Sequence, residues 1–497
     1  MASLRRLALL LALPTASLLS AACSSAPDTT ESGDDEINYR STAGQEFLLS
    51  ADVAFTVSAD VAALAGAEKE KAIADQANQL RTGITSAISA ELDRIWPEQQ
   101  RLTRAGLAIQ FRQASAAFKD LKLGDDGRYS MTVTGEFSAV KDIEQKLPLK
   151  EADGKKYLPV SYDLGAGSEE LKVTLSPIER SLNAYPKYLE LFADGALDIG
   201  VHVGGDHNEP AQDINHARSI YDDLVASGFK SPVSRFEDLK IDSGPLTSRI
   251  KVKGQDVAVR VEIFHVDMTT PETRQQLIDA YKKSTSKNDV VIYDGHAGRR
   301  LDYSGVVLAY KPARVSVPAS EFKNMPPTDK QQVYLFNGCE TYTGYADKLL
   351  ENPGRTNDNT DVITTGNYSA IQPKANQVIA FVHQLIDQKS GAWIPRSWDS
   401  VLSRMEAVGG RSWVHVYGVS GLDDNPKVSP LADASKIGAT CASDADCGAA
   451  DSRCLQVSST KRVCGAACAD SAGCPTGTKC VLPRGRTQID DMQCSPN

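Results

Sequence analysis

Away from its two ends, the 497-residue chain is poor in the residues and motifs that usually announce a chemistry. It has seven histidines and four tryptophans, and only two cysteines, Cys23 and Cys339, before residue 441. No G-x-S-x-G elbow and no phosphate-binding P-loop occurs, which removes the serine-hydrolase and nucleotide-binding signatures. After the first twenty residues no apolar run is long enough to span a bilayer. Positive charge is short as well: 54 Lys and Arg against 64 Asp and Glu leave a formal charge of −10. That balance argues against a nucleic-acid partner and otherwise speaks to solubility.

The ends are richer. MASLRRLALLLALPTASLLSAAC carries basic Arg5 and Arg6, an apolar run from Leu7 to Leu19 interrupted by Pro14, and small residues at 20 to 22. This is the pattern of an export signal and is too short for a transmembrane helix. Cys23 directly after small residues resembles a bacterial lipobox, although the usual leucine three places before the cysteine is Ser20, with Leu19 one further out. The resemblance implies cleavage before Cys23, lipid on Cys23 and anchoring in the cell envelope, at the outer membrane. Residues 24 to 45, polar and net acidic, read as a flexible tether.

At the other end, CASDADCGAADSRCLQVSSTKRVC is followed after three residues by CADSAGCPTGTKCVLPRGRTQIDDMQC. Each unit holds four cysteines and begins C-x5-C. Behind an export signal, Cys441, Cys447, Cys454, Cys464, Cys468, Cys474, Cys480 and Cys494 read as two modules of two disulfides, paired within each unit. The tail has no C-x-x-C and no histidine, so no metal is expected there. It resembles short cysteine-rich repeats at the ends of exported myxobacterial proteins, which implies attachment or protein contact.

Between tether and tail lie residues enough for two domains. The first, 46–185, opens with the strand-like EFLLSADVAFTVSA. Ile73, Ala77, Leu80, Ile84, Ile88, Leu92 and Ile95 then recur every three to four residues and predict one long helix with a core-facing stripe. LAIQFRQASAAF and RYSMTVTGEFSAV flank the turn signal GDDG and predict a hairpin. In 186–428 strands and helices alternate, from ALDIGVHVGGD through DVVIYDGHAG, QVYLFNGC and DVITTG to WVHVYGVSG. Alternation of this kind predicts an α/β fold, a mostly parallel sheet flanked by helices, with functional groups at the C-terminal ends of its strands. The expected division is a 1–23 signal peptide, a 24–45 tether, a 46–185 α+β module, a 186–428 α/β domain and a 429–497 disulfide-rich tail.

Two strand ends carry the functional reading. Val290 to Tyr293 run into Asp294, Gly295, His296, Ala297 and Gly298, and Val333 to Phe336 run into Asn337, Gly338 and Cys339. If the strands are parallel neighbours, His296 and Cys339 emerge at one edge, where an imidazole favours the thiolate that a cysteine nucleophile needs. The flanking glycines would let a substrate backbone approach and free main-chain N–H groups for an oxyanion. With the other cysteines assigned, Cys339 is expected as the only unpaired thiol.

YDGHAG and YLFNGC, in this order and with His296 and Cys339 43 residues apart, resemble the caspase-like cysteine peptidases, the superfamily of caspases, legumain, gingipains and clostripain. The resemblance implies His296 as base and proton donor, Cys339 as nucleophile, an oxyanion hole from N–H groups of Ala297, Gly298 and Gly338, a caspase-like fold, and no cofactor. The family usually has glycine directly after the histidine, where this chain has Ala297. The function so implied is an exported cysteine endopeptidase acting on a peptide or protein substrate. The alternative is a catalytically inactive, caspase-like surface lipoprotein used for binding or adhesion. A third reading, a zinc hydrolase, draws on His202, Asp206, His207, Glu209 and His216, whose spacing matches no zinc signature; the loop holding the first four is expected to line the cleft. Asp294, Asp302 and Glu340 are expected to be exposed loop charges, and Trp393, Trp398 and Trp413 core or cleft wall.

Overall fold

A computed structural model describes residues 44–97, 107, 109–164, 167–178, 183–205, 212–297, 305–366, 369, 371–408, 416–487 and 489–496. Cys23 and most of the tether lie outside the described residues.

The first layer is a six-stranded sheet. β1 (Gly44–Phe55), β2 (Gln110–Leu123), β3 (Tyr129–Val140), β4 (Lys150–Ala152), β5 (Lys155–Asp163) and β6 (Ser168–Ile178) pair antiparallel in the order β2-β3-β1-β6-β5-β4. In β1 the alternation is strict from Phe47 onward: Phe47, Leu49, Ala51, Val53 and Phe55 are buried. Their face receives the long helix α1 (Gly66–Ile95), whose Ile73, Ala77, Ile84, Ile88 and Leu92 are buried, with Leu80 and Ile95 partly so. The stripe is therefore core, as its spacing predicts. The β2–β3 hairpin forms at GDDG because Gly127 takes φ +77° and Gly124 N–H bonds the Arg128 carbonyl at 2.7 Å.

The second sheet orders β17-β14-β13-β10-β7-β9-β8. Its elements in chain order are β7 (Ala196–Val203), α2 (Asp213–Ala226), β8 (Leu246–Val252), β9 (Gln255–Phe264), α3 (Gln275–Lys287), β10 (Val290–Asp294), β11 (Gly305–Ala309), β12 (Val315–Pro318) and β13 (Gln332–Asn337). There follow α4 (Tyr345–Leu350), β14 (Thr360–Thr365), α5 (Ile371–Leu385), the short hairpin β15 (Gln388–Lys389) and β16 (Ala392–Trp393), α6 (Trp398–Val408) and β17 (Tyr417–Ser420). β9, β7, β10, β13 and β14 run parallel; β8 and β17 close the edges antiparallel. Both faces are covered, so the central strands are apolar throughout and not alternating. Val290, Ile292, Val333, Leu335 and Ile363 pack with Ala217 of α2, Phe381 of α5 and Val401 of α6. Val291, Tyr293, Tyr334 and Phe336 point the other way, toward Tyr281 of α3 and Leu349 of α4. Trp393 and Trp398 belong to the first of these cores; Trp413 lies outside the described residues.

The tail holds two small hairpins, β18 (Cys454–Gln456) with β19 (Arg462–Cys464) and β20 (Thr478–Val481) with β21 (Gln493–Pro496). Disulfides join Cys441 to Cys454, Cys447 to Cys464, Cys468 to Cys480 and Cys474 to Cys494. Each repeat thus pairs within itself, first cysteine to third and second to fourth. Such a framework belongs to an oxidising compartment outside the cytosol. Among the described residues no helix is long and apolar enough to cross a membrane.

Candidate functional site

The geometry of the site follows from one register. β10 and β13 are parallel neighbours with Val290 opposite Val333 and Asp294 opposite Asn337. A glycine follows on each strand, and then His296 and Cys339, so the two residues leave the sheet side by side at its C-terminal edge.

The glycines between them are filled by the protein itself. A Cβ on Gly338 would lie 2.4 Å from Ala297 Cβ and 3.1 Å from the Gly295 carbonyl oxygen. One on Gly295 would lie 2.9 Å from Gly204 Cα at the end of β7. Gly204 N–H in turn bonds the Asp294 carbonyl at 2.8 Å. Three strand ends thus interlock at glycine. The expectation that Gly295 and Gly338 are open to a substrate backbone is corrected on this point: close chain-to-chain packing occupies that space.

His296 is 3 % exposed and Cys339 2 %. The His296 carbonyl accepts from Tyr293 Oη at 2.6 Å. The Gly338 carbonyl accepts from Ser369 Oγ at 3.1 Å and from Thr365 Oγ1, both beyond the end of β13 on the β14 side. In a trans peptide this turns the Cys339 N–H away from β14. The Cys339 sulfur lies 3.8 Å from the Ser369 carbonyl. It is not the unpaired thiol expected from counting: among the described residues no cysteine is a free thiol. Gly298 also lies outside the described residues.

The neighbouring carboxylates are not the exposed loop charges expected. Asp294 is fully buried, with Oδ1 accepting from Asn337 Nδ2 at 2.9 Å and Oδ2 paired to His216 Nδ1 at 3.1 Å. The strand end needs this pairing, since a carboxylate without partners in a dry interior costs several kcal/mol. Asp294 therefore orients His216, on the first turn of α2, and not His296. Glu340 is 4 % exposed and left-handed at φ 53°; its Oε1 accepts from Gln110 Nε2 of β2 at 2.6 Å. Asp302 lies outside the described residues.

His202 also departs from expectation. It does not line a loop at the cleft but is buried inside β7, stacked on Phe264 at 4.8 Å and edge-on to Tyr281, with Nε2 2.9 Å from Ser284 Oγ. Burial pushes its pKa down to about 3, so it stays neutral. This removes His202 from the zinc reading. Asp206, His207 and Glu209 lie outside the described residues.

One neighbour was not legible at all. The N-terminal sheet seats on the same edge: besides Gln110 on Glu340, Arg112 of β2 holds Asp347 of α4 through Nε at 2.8 and 3.0 Å and reaches Glu136 at 3.1 Å. Burial works against the Arg112 charge, but the two carboxylates outweigh it and its pKa is raised. A Cβ on Gly366 would strike Ser138 Oγ of β3, so a side chain of the N-terminal sheet fills the space beside that glycine.

No family model, no curated protein sequence and no solved structure matches the chain.

Proposed function

We propose that the protein is an exported, caspase-like cysteine endopeptidase, anchored in the bacterial envelope through lipid on Cys23. The observation that carries the reading is the β10–β13 register, which sets His296 and Cys339 at matching positions past neighbouring parallel strands. Attack requires the Cys339 sulfur as a thiolate. The thiolate then adds to the substrate carbonyl carbon, with N–H groups at Cys339 and Ala297 facing the oxyanion. The C–N bond breaks as His296 protonates the leaving amine, and water, deprotonated by His296, releases the acid from the thioester. No cofactor enters these steps.

The test is alkylation of Cys339 across pH after mild reduction, read by mass spectrometry on its own peptide, in the signal-free protein and in His296→Ala. Rapid labelling below pH 7 that slows in the variant supports the dyad. Slow labelling, equal in both, sinks it.

The second reading, an inactive surface lipoprotein used for binding, is favoured by a specific set of facts: Cys339 and His296 are almost fully buried, no described cysteine is a free thiol, and the N-terminal sheet covers the adjoining edge. It requires that reduced protein hydrolyse no peptide library and that Cys339→Ser leave its binding partner attached.

A further inference from the structure

The tail is carried at the opposite end of the α/β sheet from His296 and Cys339. Ala469 N–H bonds the Lys427 carbonyl, Ser429 N–H bonds that of Ala467, and Asp490 pairs with Arg396 at 2.7 Å. Between its two repeats runs a groove with a cavity volume of about 1190 Å³. The walls are rigid. Each repeat is cross-linked by its two disulfides, and buried Gln493 of β21 bolts the second to the first, donating to the Asp451 carbonyl at 3.0 Å and accepting from Arg453 N–H at 3.2 Å.

Two features of the lining point to a ligand. Among the described residues five large apolar side chains are well exposed, and two of them, Val457 (40 %) and Leu482 (44 %), line this groove, one from each repeat. Exposed apolar side chains that gather in one concave place mark an interaction site, whereas scattered ones need no explanation. The charge is equally uneven. Five cationic side chains and two carboxylates line the groove, in a chain whose formal charge is −10. Of the cations, Lys461, Arg484 and Arg486 are exposed, and their side chains make no hydrogen bond or ion pair among the described residues. The carboxylates are partly committed: Asp444 accepts from Cys454 N–H at 2.8 Å and lies 4.0 Å from Arg453.

We propose that this inter-repeat groove binds an extended acidic polypeptide segment that carries apolar side chains among its carboxylates. The cations supply the attraction, and Val457 and Leu482 select for apolar groups that a purely ionic ligand lacks. Among the described residues no aromatic side chain lines the groove, so these offer no ring face on which a sugar can stack. The disulfide-braced walls lose little freedom on binding, which favours affinity.

The probe is a fluorescein-labelled ten-residue peptide alternating Glu or Asp with Val or Leu, titrated by anisotropy into the signal-free full chain. The wild type is expected to bind, and to bind more weakly as salt rises. Lys461→Glu, Arg484→Glu and Arg486→Glu together are expected to weaken binding by at least about tenfold, and Val457→Ser with Leu482→Ser by about tenfold. The five positions are surface groups, so thermal melts should match the parent; should a variant fail to fold, the salt titration of the wild type decides by itself. Salt-independent binding, no binding, or equal affinity for a peptide with every Val and Leu replaced by Ser overturns the proposal. Tighter binding of a sulfated oligosaccharide of equal charge overturns the choice of a polypeptide.

Discussion

Gly338→Ala tests the interlock that holds His296 and Cys339 together. The new Cβ would lie 2.4 Å from Ala297 Cβ, where two carbons in good contact rest at about 3.5–4.0 Å. Something must move by more than about 1 Å in a close-packed strand end, and overpacking of that kind costs about 1–3 kcal/mol. Ala297→Gly removes the obstructing methyl and loosens its own backbone, at about 0.5–1 kcal/mol. The double variant should be more stable than Gly338→Ala alone, with a coupling of about 1–2 kcal/mol. It does not return fully to the parent, because the Gly295 carbonyl remains 3.1 Å from the new carbon. In a body of this size the single substitution should lower the melting temperature by about 5 °C. Calorimetry and urea unfolding of the four proteins measure the cycle. Additive effects, or a Gly338→Ala protein as stable as its parent, would show that the loops after β10 and β13 do not touch as described.

Three other outcomes follow from buried groups. Asp361 at the start of β14 is buried and accepts from Asn425 Nδ2 at 3.0 Å, and burial pushes its carboxyl up to about 8. The native state therefore keeps a proton that the unfolded chain gives up near pH 4, so its contribution is complete below pH 4 and is lost as pH rises through 8. Asp361→Asn, which does not titrate, should gain stability over the parent between about pH 5 and pH 8 and level off above that in thermal melts; a difference constant with pH would refute the assignment. Asp347→Ala leaves the part-buried Arg112 guanidinium with Glu136 alone at the seam between the two sheets and should cost about 1–3 kcal/mol, with Arg112→Met restoring part of it; urea unfolding of both and of the pair checks this. Cys474→Ala with Cys494→Ala opens a loop of sequence separation 20 and should destabilise the tail by about 2–4 kcal/mol, read as earlier proteolysis after residue 468 while the α/β body resists.

Much of this molecule was written in near-neighbour patterns. The stripe from Ile73 to Ile95, the GDDG hairpin and the doubly buried runs Val290–Asp294 and Gln332–Asn337 depend on spacings of two, three or four residues, and each forms where that spacing says. Within the tail, loop closure favours near partners, so the cysteines of each repeat found one another inside it. What the chain alone left undecided involves partners far apart in sequence. Gln110 meets Glu340 across 230 residues and Arg112 meets Asp347 across 235, and no local period marks either pair. For the same reason Asp294 and Glu340 looked like loop charges: their burial is made tolerable by His216, Asn337 and Gln110, which only the folded sheet brings within hydrogen-bond reach. His202 follows the same logic in reverse, since a histidine near the end of a strand is a ligand or a core group according to what stacks on it, and Phe264 and Tyr281 do. The glycines at 295 and 338 are the sharpest instance. Sequence shows that they lack a side chain, and the tertiary structure alone shows that the space so left is taken by Gly204 and Ala297.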